Sequence, residues 1–199
     1  MIVFIRHGRT EWNETGRVQG FKNAMLTKDS CEFCKSFQGR FSDSIWKCYS
    51  SSRRRSVDTA KHLGFRDVVS SPLLDERFMG RLEGYKGKYL RKKFGSSSLE
   101  QGNRKLRVES YDSVLRRAKR FFHCLEENTG RKVAVITHAR FMICAMQLVL
   151  GRGVAPNETF DNLGCLVLRL NGTSYKVDGV NIPLDQVLNE ASSALKIAR

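Results

Sequence analysis

The chain has 199 residues, of which 41% are hydrophobic, and 35 basic and 20 acidic side chains give it a formal net charge of +15. This length and apolar content exclude a disordered protein, and no apolar run approaches the roughly 20 residues that span a bilayer. We therefore predict a single domain over residues 1–199, and the charge predicts an anionic ligand. The first predicted strand begins at Met1 and leaves no room for a signal peptide, so we expect a cytoplasmic protein without membrane association.

The predicted elements alternate between strands and helices along most of the chain. The strands are predicted at 1–6, 44–51, 65–71 and 132–137. The helices are predicted at 28–41, 53–64, 113–128, 140–151 and 184–197. Residues 164–181 predict a hairpin, because Asn171–Gly172 is a strong hairpin turn. The alternation predicts an α/β fold, a three-layer sandwich with a mostly parallel central sheet, helices on both faces and an antiparallel edge strand from the hairpin.

Residues 73–108 interrupt the alternation and predict a short basic excursion from the domain, with a helix at 85–94. Eight basic side chains fall within 22 residues that hold one acid, Glu100; they are Lys86, Lys88, Arg91, Lys92, Lys93, Arg104, Lys105 and Arg107. A solvated, solubilising face explains most charge runs of this kind. Recruitment of a polyanion is the alternative, and both interpretations stay open.

Cys31 and Cys34 form a CxxC pair among six cysteines. Such a pair is typical of zinc or redox sites, but a structural zinc site needs about four ligands, and no second pair or nearby histidine is present. The segment is predicted to be helical after a Thr27 N-cap, which places both cysteines on one face. We predict buried apolar thiols and no metal site.

Charged residues and histidines follow the ends of three predicted strands. The first strand ends in Arg-His-Gly at 6–8, the second leads into three arginines at 53–55, and the strand at 132–137 ends at His138. The carboxyl ends of parallel strands meet at one edge of a sheet, so these residues are expected to converge there. The other two histidines, His62 and His123, lie in predicted helices and are interpreted as structural.

The strand-end residues at 6–8, 53–55 and 138 fall within four segments that together resemble a known family, the histidine phosphatases of the phosphoglycerate mutase-like superfamily. "RHGRTEWN" (6–13) with "GRVQG" (16–20) resembles the family's opening signature. Three further segments follow in the family's order: "SSSRRRSVDTA" (50–60), "LLDERFMGRLEG" (73–84) and "VAVITHA" (133–139). Arg-His-Gly alone is a weak signal, whereas four ordered segments are a specific one. The resemblance implies the same α/β sandwich.

The resemblance implies a phosphoric monoester hydrolase of the histidine acid phosphatase type. His7 would form a phosphohistidine, because a neutral imidazole can attack phosphorus and leave again. Glu76 would protonate the departing oxygen and then take a proton from the attacking water. Arg6, Arg55 and His138 would complete the catalytic set, since cations stabilise the transferring phosphoryl group and keep the nucleophile unprotonated. No metal or other cofactor is implied.

The phosphate-binding and recruiting residues also follow from the resemblance and from its departures. Besides Arg6, Arg55 and His138, the implied phosphate-binding residues are Asn13, Gln19, Gly20 and Ala139, the last replacing a glycine often found there. Arg9 stands where the family often carries an acid or a glutamine. With the basic excursion, it predicts recruitment of a multiply anionic, phosphorylated small molecule by Arg9, Lys86, Lys88 and Arg91.

Two alternatives to a phosphatase remain. A phosphoglycerate mutase would use 2,3-bisphosphoglycerate as cofactor and carry a longer excursion with a tyrosine, a lysine and an arginine pair. Here Met79 and Gly87 occupy the tyrosine and lysine positions, and the arginine pair has no clear counterpart, which favours the phosphatase. The second alternative is a non-catalytic basic binding protein on the same fold. Because no aromatic-interleaved RNA signature is visible, we expect no nucleic-acid partner.

Overall fold

The computed structural model of the chain describes residues 1–41, 46–95, 102–125, 132–153, 159–172 and 174–197. Within these ranges six strands form one mixed sheet: β1 (Ile2–Arg6), β2 (Trp46–Ser51), β3 (Val68–Ser71), β4 (Lys132–Thr137), β5 (Cys165–Asn171) and β6 (Ser174–Ile182). The strand order is β3-β2-β4-β1-β5-β6. The first four strands are parallel, and the β5–β6 hairpin joins antiparallel to β1. The predicted sheet is confirmed.

Seven α-helices lie in the same ranges: α1 (Glu11–Glu14), α2 (Lys28–Lys35), α3 (Arg54–His62), α4 (Gly87–Phe94), α5 (Tyr111–Leu125), α6 (Ala139–Leu150) and α7 (Leu184–Ile197). Two 3-10 helices, Pro72–Leu74 and Gly80–Leu82, lie between β3 and α4. In the part of the chain that the structure describes, no helix combines the length and apolar character that crossing a bilayer requires.

The two faces of the sheet carry separate cores. Side chains alternate along β1, so Ile2 and Phe4 face α5 and α6, whereas Val3 and Ile5 face α2, α3 and α7. All four are at most 3% exposed. Phe4 lies at the centre of an aromatic cluster with Phe121, Phe122 and Phe141. The result is the predicted arrangement of helices on both faces.

Two local predictions differ from the structure. The helix predicted at 28–41 ends at Lys35, because the chain tightens into 3-10-type turns in which the N–H groups of Phe37 and Gln38 donate to carbonyls three residues back. The short helix α1 was not predicted. It begins at a capping box in which Thr10 and Asn13 exchange side-chain and backbone hydrogen bonds.

The CxxC pair is only partly buried. Cys34 is fully buried, but Cys31 is half-buried, because α2 turns that edge toward solvent. Both thiols are free. Burial raises the pKa of Cys34 to about 12, so its thiol stays protonated at neutral pH. Among the residues described, no three His, Cys, Asp or Glu side chains lie close enough to share a metal ion.

The basic excursion packs over one edge of the sheet as a cap with a small core of its own. Leu82, Leu90 and Val108 are buried together, and Val18 and Met79 pack against them. Residues 96–101 of the excursion lie outside the described residues. α4 is thus held by few apolar contacts, in contrast to the helices that cover the sheet.

Candidate active site

Three neighbouring strands, β2, β4 and β1, deliver polar side chains to the same edge of the sheet. His7 follows β1 directly, and its backbone N–H donates to the carbonyl of Thr137, the last residue of β4 (2.9 Å). His138 follows that residue. The centroids of the two imidazole rings are 5.1 Å apart. Parallel pairing of β1 with β4 therefore brings together two histidines that are 131 positions apart.

The surroundings of His7 determine its tautomer. Its Nδ1 lies 2.7 Å from the carbonyl oxygen of Gly8. A carbonyl oxygen can only accept, so Nδ1 carries the proton and Nε2 carries the lone pair. Burial and, next, the guanidinium groups of Arg55 and Arg6 lower the pKa of His7 well below its usual value. His7 is therefore a neutral imidazole with a free ring nitrogen.

Arg55 is almost fully buried, at 1% exposure, and is held by backbone carbonyls. It donates to the carbonyls of Lys22 (3.0 Å) and Gly20 (2.8 Å) and to Nδ1 of His138 (3.2 Å). Burial lowers its pKa to about 10, partly offset by the charge of Glu76, so Arg55 stays cationic at neutral pH. Its buried Nε has no protein partner and remains a donor for a ligand.

Arg6 and Glu76 have opposite charges and act on each other electrostatically. Burial lowers the pKa of Arg6, and the charge of Glu76 raises it. Arg6 donates to the carbonyl of Phe160, and its buried Nε has no partner. Glu76 accepts from the backbone N–H of Arg77 (2.9 Å). The site thus combines a neutral imidazole, two cations and one carboxyl group.

His138 is fully buried and lies behind the wall of the cavity rather than on it. Because Arg55 can only donate, Nδ1 of His138 accepts, and Nε2 must carry the proton. Nε2 donates to the hydroxyl of Ser51 (2.8 Å), which donates to Asp75 (2.8 Å). Burial and the charge of Arg55 lower the pKa of His138 well below its usual value. The two histidines therefore carry opposite tautomers.

A cavity of about 670 Å³ opens above these groups. His7, Glu76 and six arginines line it, the arginines being Arg6, Arg17, Arg55, Arg77, Arg91 and Arg140. Among the described residues that line it, Glu76 is the one acid. Arg77 also lies 4.7 Å over the ring of Tyr111, another lining residue. This charge distribution fits a ligand with several negative charges.

The predicted phosphate-binding residues Asn13, Gln19, Gly20 and Ala139 all line the cavity. Asn13 accepts from the Thr10 N–H and hydroxyl through Oδ1, which leaves its amide NH₂ to donate. The Oε1 of Gln19 is buried without a protein partner. Gly20 has a positive φ of 54°, and a Cβ there would lie 2.1 Å from the carboxylate of Glu83, so only glycine fits.

Three of the predicted recruiting residues lie outside this cavity. Arg9 lines a separate cavity and points toward Glu14, 3.7 Å away, because the turn into α1 directs it there. Lys86 and Lys88 also lie outside, whereas Arg91 lines the cavity. On α4, residues 87, 90 and 91 share the face toward the cavity, and residue 88 lies on another face. Adjacency in sequence was therefore a poor guide to which cations face the cavity.

Asn162 and Glu83 are among the supporting residues that sequence reasoning missed. Asn162 donates to the backbone carbonyl of His7 (3.0 Å), and no local pattern marks it. Glu83 is 5% exposed and accepts from the backbone N–H groups of Phe21 (2.8 Å), Lys22 (3.0 Å) and Met79 (3.1 Å), which ties the Gln19–Gly20 loop to the cap. Its place in the "GRLEG" segment was visible, but its partners Phe21 and Lys22 are 62 and 61 positions away in sequence.

The sequence profile of the histidine phosphatase superfamily (branch 1) matches residues 2–183. The chain therefore belongs to the histidine phosphatase superfamily.

Relatives in this superfamily include phosphatases and phosphoglycerate mutase-like proteins. A metal-independent phosphoserine phosphatase of Arabidopsis thaliana is 29% identical over 153 residues, which cover 69% of this chain and 63% of the plant protein. A protein of Proteus mirabilis named "Probable phosphoglycerate mutase GpmB" is 28% identical over 180 residues, 85% of this chain and 84% of its own length. A mycobacterial glucosyl-3-phosphoglycerate phosphatase has the same fold, with a TM-score of 0.76 at 22% identity over 90% of this chain and 98% of that one.

Proposed function

We propose that this protein is a metal-independent phosphatase that hydrolyses phosphomonoesters through a phosphohistidine on His7. One observation carries the proposal: Nδ1 of His7 is committed to the Gly8 carbonyl, so Nε2 is the ring nitrogen left for the cavity. Burial and the adjacent guanidinium groups of Arg55 and Arg6 keep the ring unprotonated, and the two guanidinium groups supply positive charge for the phosphoryl oxygens. These cations take the part that a metal ion plays in other phosphoryl-transfer sites.

The proposed reaction has two steps. In the first, Nε2 of His7 attacks phosphorus, the ester P–O bond breaks, and the Glu76 carboxyl gives its proton to the leaving oxygen. In the second, the Glu76 carboxylate takes a proton from water, the water oxygen attacks phosphorus, and the P–N bond breaks. Inorganic phosphate departs, and His7 is again neutral. Arg6 and Arg55 contact the phosphoryl oxygens in both steps.

Arginines of the cavity wall other than Arg6 and Arg55 favour a small phosphorylated substrate with more than one anionic group. Arg6 and Arg55 suffice for the transferred phosphoryl group, which leaves Arg17, Arg91 and Arg140 for a second one. Arg91 keeps the recruiting role expected from the sequence. Neither Lys86 nor Lys88 lines the cavity. We therefore propose that these two residues only add to the positive electrostatic potential of the cap and do not contact the substrate.

A 2,3-bisphosphoglycerate-dependent mutase is the second candidate, and the relative from Proteus mirabilis is the observation that favours it. A mutase must hold the intermediate away from water while it reorients. Met79 and Gly87, which stand at the tyrosine and lysine positions of the mutases, both line this cavity and offer no polar side chain to hold it. We therefore favour the phosphatase.

A phosphate-release assay on a panel of phosphate esters, with 3-phosphoglycerate included and a chelator present, tests the proposal. Release by the wild type that disappears in the His7→Ala variant is the expected result. Isomerisation of 3-phosphoglycerate on addition of 2,3-bisphosphoglycerate, without release, would identify a mutase. Salt-dependent retention on RNA with no turnover of any ester would favour the binding protein.

A further inference from the structure

The segment that carries Glu76 has little regular secondary structure of its own. It follows the 3-10 helix Pro72–Leu74 and precedes the one at Gly80–Leu82, so no helix or sheet ladder holds residues 75–79. Its backbone carbonyls are nevertheless paired. The hydroxyl of Thr137 donates to the carbonyl of Leu74 (2.6 Å). The carbonyls on either side must be held by other donors.

Those donors come from one side chain, Arg117, on α5. Its NH1 donates to the carbonyls of Leu73 (2.8 Å) and Asp75 (3.0 Å), and its NH2 approaches that of Glu76 (3.4 Å). A planar guanidinium can reach several acceptors at fixed angles, which a lysine ammonium cannot. Arg117 does not line the cavity, so it does not reach the substrate itself.

A carboxylate fixes the orientation of this guanidinium. Glu109 accepts from Nε (3.1 Å) and NH2 (3.0 Å) of Arg117, which makes a bidentate pair. It also accepts from the backbone N–H of Phe78 (3.0 Å) and the hydroxyl of Ser113 (2.8 Å). Burial raises the pKa of Glu109, but its hydrogen bonds to Arg117 and Phe78 outweigh burial. The net pKa lies below its usual value, so Glu109 stays ionised.

We propose that Arg117, held by Glu109, is a positioning residue that fixes the Leu73–Glu76 segment so that the Glu76 carboxyl reaches the leaving oxygen. Arg117 pins the backbone on one side of Glu76, and the bond from the Arg77 N–H orients the carboxyl on the other. This inference rests on the proposed function, because it requires Glu76 to act as the general acid.

Leaving-group dependence distinguishes this role from a structural one. The nitrophenolate of 4-nitrophenyl phosphate departs without much help from an acid, whereas the alkoxide of glycerol 2-phosphate must be protonated. In Arg117→Lys we expect kcat/KM for glycerol 2-phosphate to fall about 100-fold, as for a misplaced catalytic group. For 4-nitrophenyl phosphate we expect a loss of less than about threefold. An equal loss for both esters, or no loss, would overturn the proposal.

Three further variants complete the experiment. Arg116→Lys changes the exposed neighbour on the same helix and is expected to leave both rates unchanged. Glu109→Gln, which weakens the hold on Arg117, is expected to repeat the same discrimination and replaces Arg117→Lys if that variant does not fold. Glu76→Gln separates the two proposals. If it shows no leaving-group dependence, Glu76 is not the acid and both fail; if it does and Arg117→Lys does not, only the positioning role fails.

Discussion

The floor and the rim of the cavity are built by different means. The floor consists of Arg6, His7 and Arg55, with His138 behind it. These residues lie at strand ends or at the start of α3, and backbone carbonyls or buried side chains fix each of them. On the rim, Arg91 projects from α4, which rests on a small apolar core. Buried, hydrogen-bonded groups are costly to displace, whereas exposed cations act mainly through a screened field. Chemistry is therefore expected on the floor and substrate preference on the rim.

Replacing a floor cation should have the largest effect. Arg55→Lys keeps the charge but cannot serve the carbonyls of Gly20 and Lys22 and the imidazole of His138 together. We expect kcat/KM to fall roughly 100- to 1000-fold, as when an oriented donor to a transition state is lost. Steady-state kinetics with Arg54→Lys, the exposed neighbour, as a matched control measures this. Near wild-type activity in Arg55→Lys would contradict the assignment of chemistry to the floor and of substrate preference to the rim.

The buried histidines of the floor should make stability depend on pH. Their pKa values are lowered in the folded state, so below about pH 6.5 the unfolded chain binds protons that the folded chain does not. Stability conferred by the neutral rings is complete above that pH and falls as the pH decreases, by up to about 1.4 kcal/mol per pH unit for each histidine. Urea unfolding between pH 7.5 and 5.5 (a range chosen to bracket about 6.5) measures the slope.

Matched variants test whether the buried histidines cause this dependence of the unfolding free energy on pH. His7→Gln is expected to reduce it, because one of the two buried imidazoles is removed. His123→Asn, which changes an exposed histidine outside the site, is the control. Identical slopes for the wild type and His7→Gln would mean that His7 is not held neutral by the fold.

The smallest effect is expected on the rim. Arg91→Ala should lower kcat/KM for an ester that carries a second anionic group by about fivefold or less at low salt, the scale of an exposed ion pair. It should spare an ester whose phosphate is its only anionic group. Lys88→Ala, on the same helix but outside the cavity, is the control. Equal losses in the two variants would show that the cap acts through its total charge rather than through Arg91.

The same contrast explains how far sequence reasoning reached. The buried runs of β1 and β4 and the residues that follow them were predictable, because parallel strand ends must share an edge. The rim was not, since the phase of α4 decides that Arg91 faces the cavity and Lys88 does not. Asn162 and Arg117 were missed for another reason: each binds backbone carbonyls distant in sequence, and such contacts leave no local pattern.

The central claim is that His7 carries the phosphoryl group, and trapping that adduct tests it most directly. Enzyme mixed briefly with a ³²P-labelled ester, in the presence of a chelator, is quenched in alkali, where a phosphohistidine survives. The account predicts an acid-labile label in the peptide that contains His7 and no label in His7→Ala. Turnover that continues in His7→Ala, or a label on another residue, would contradict it.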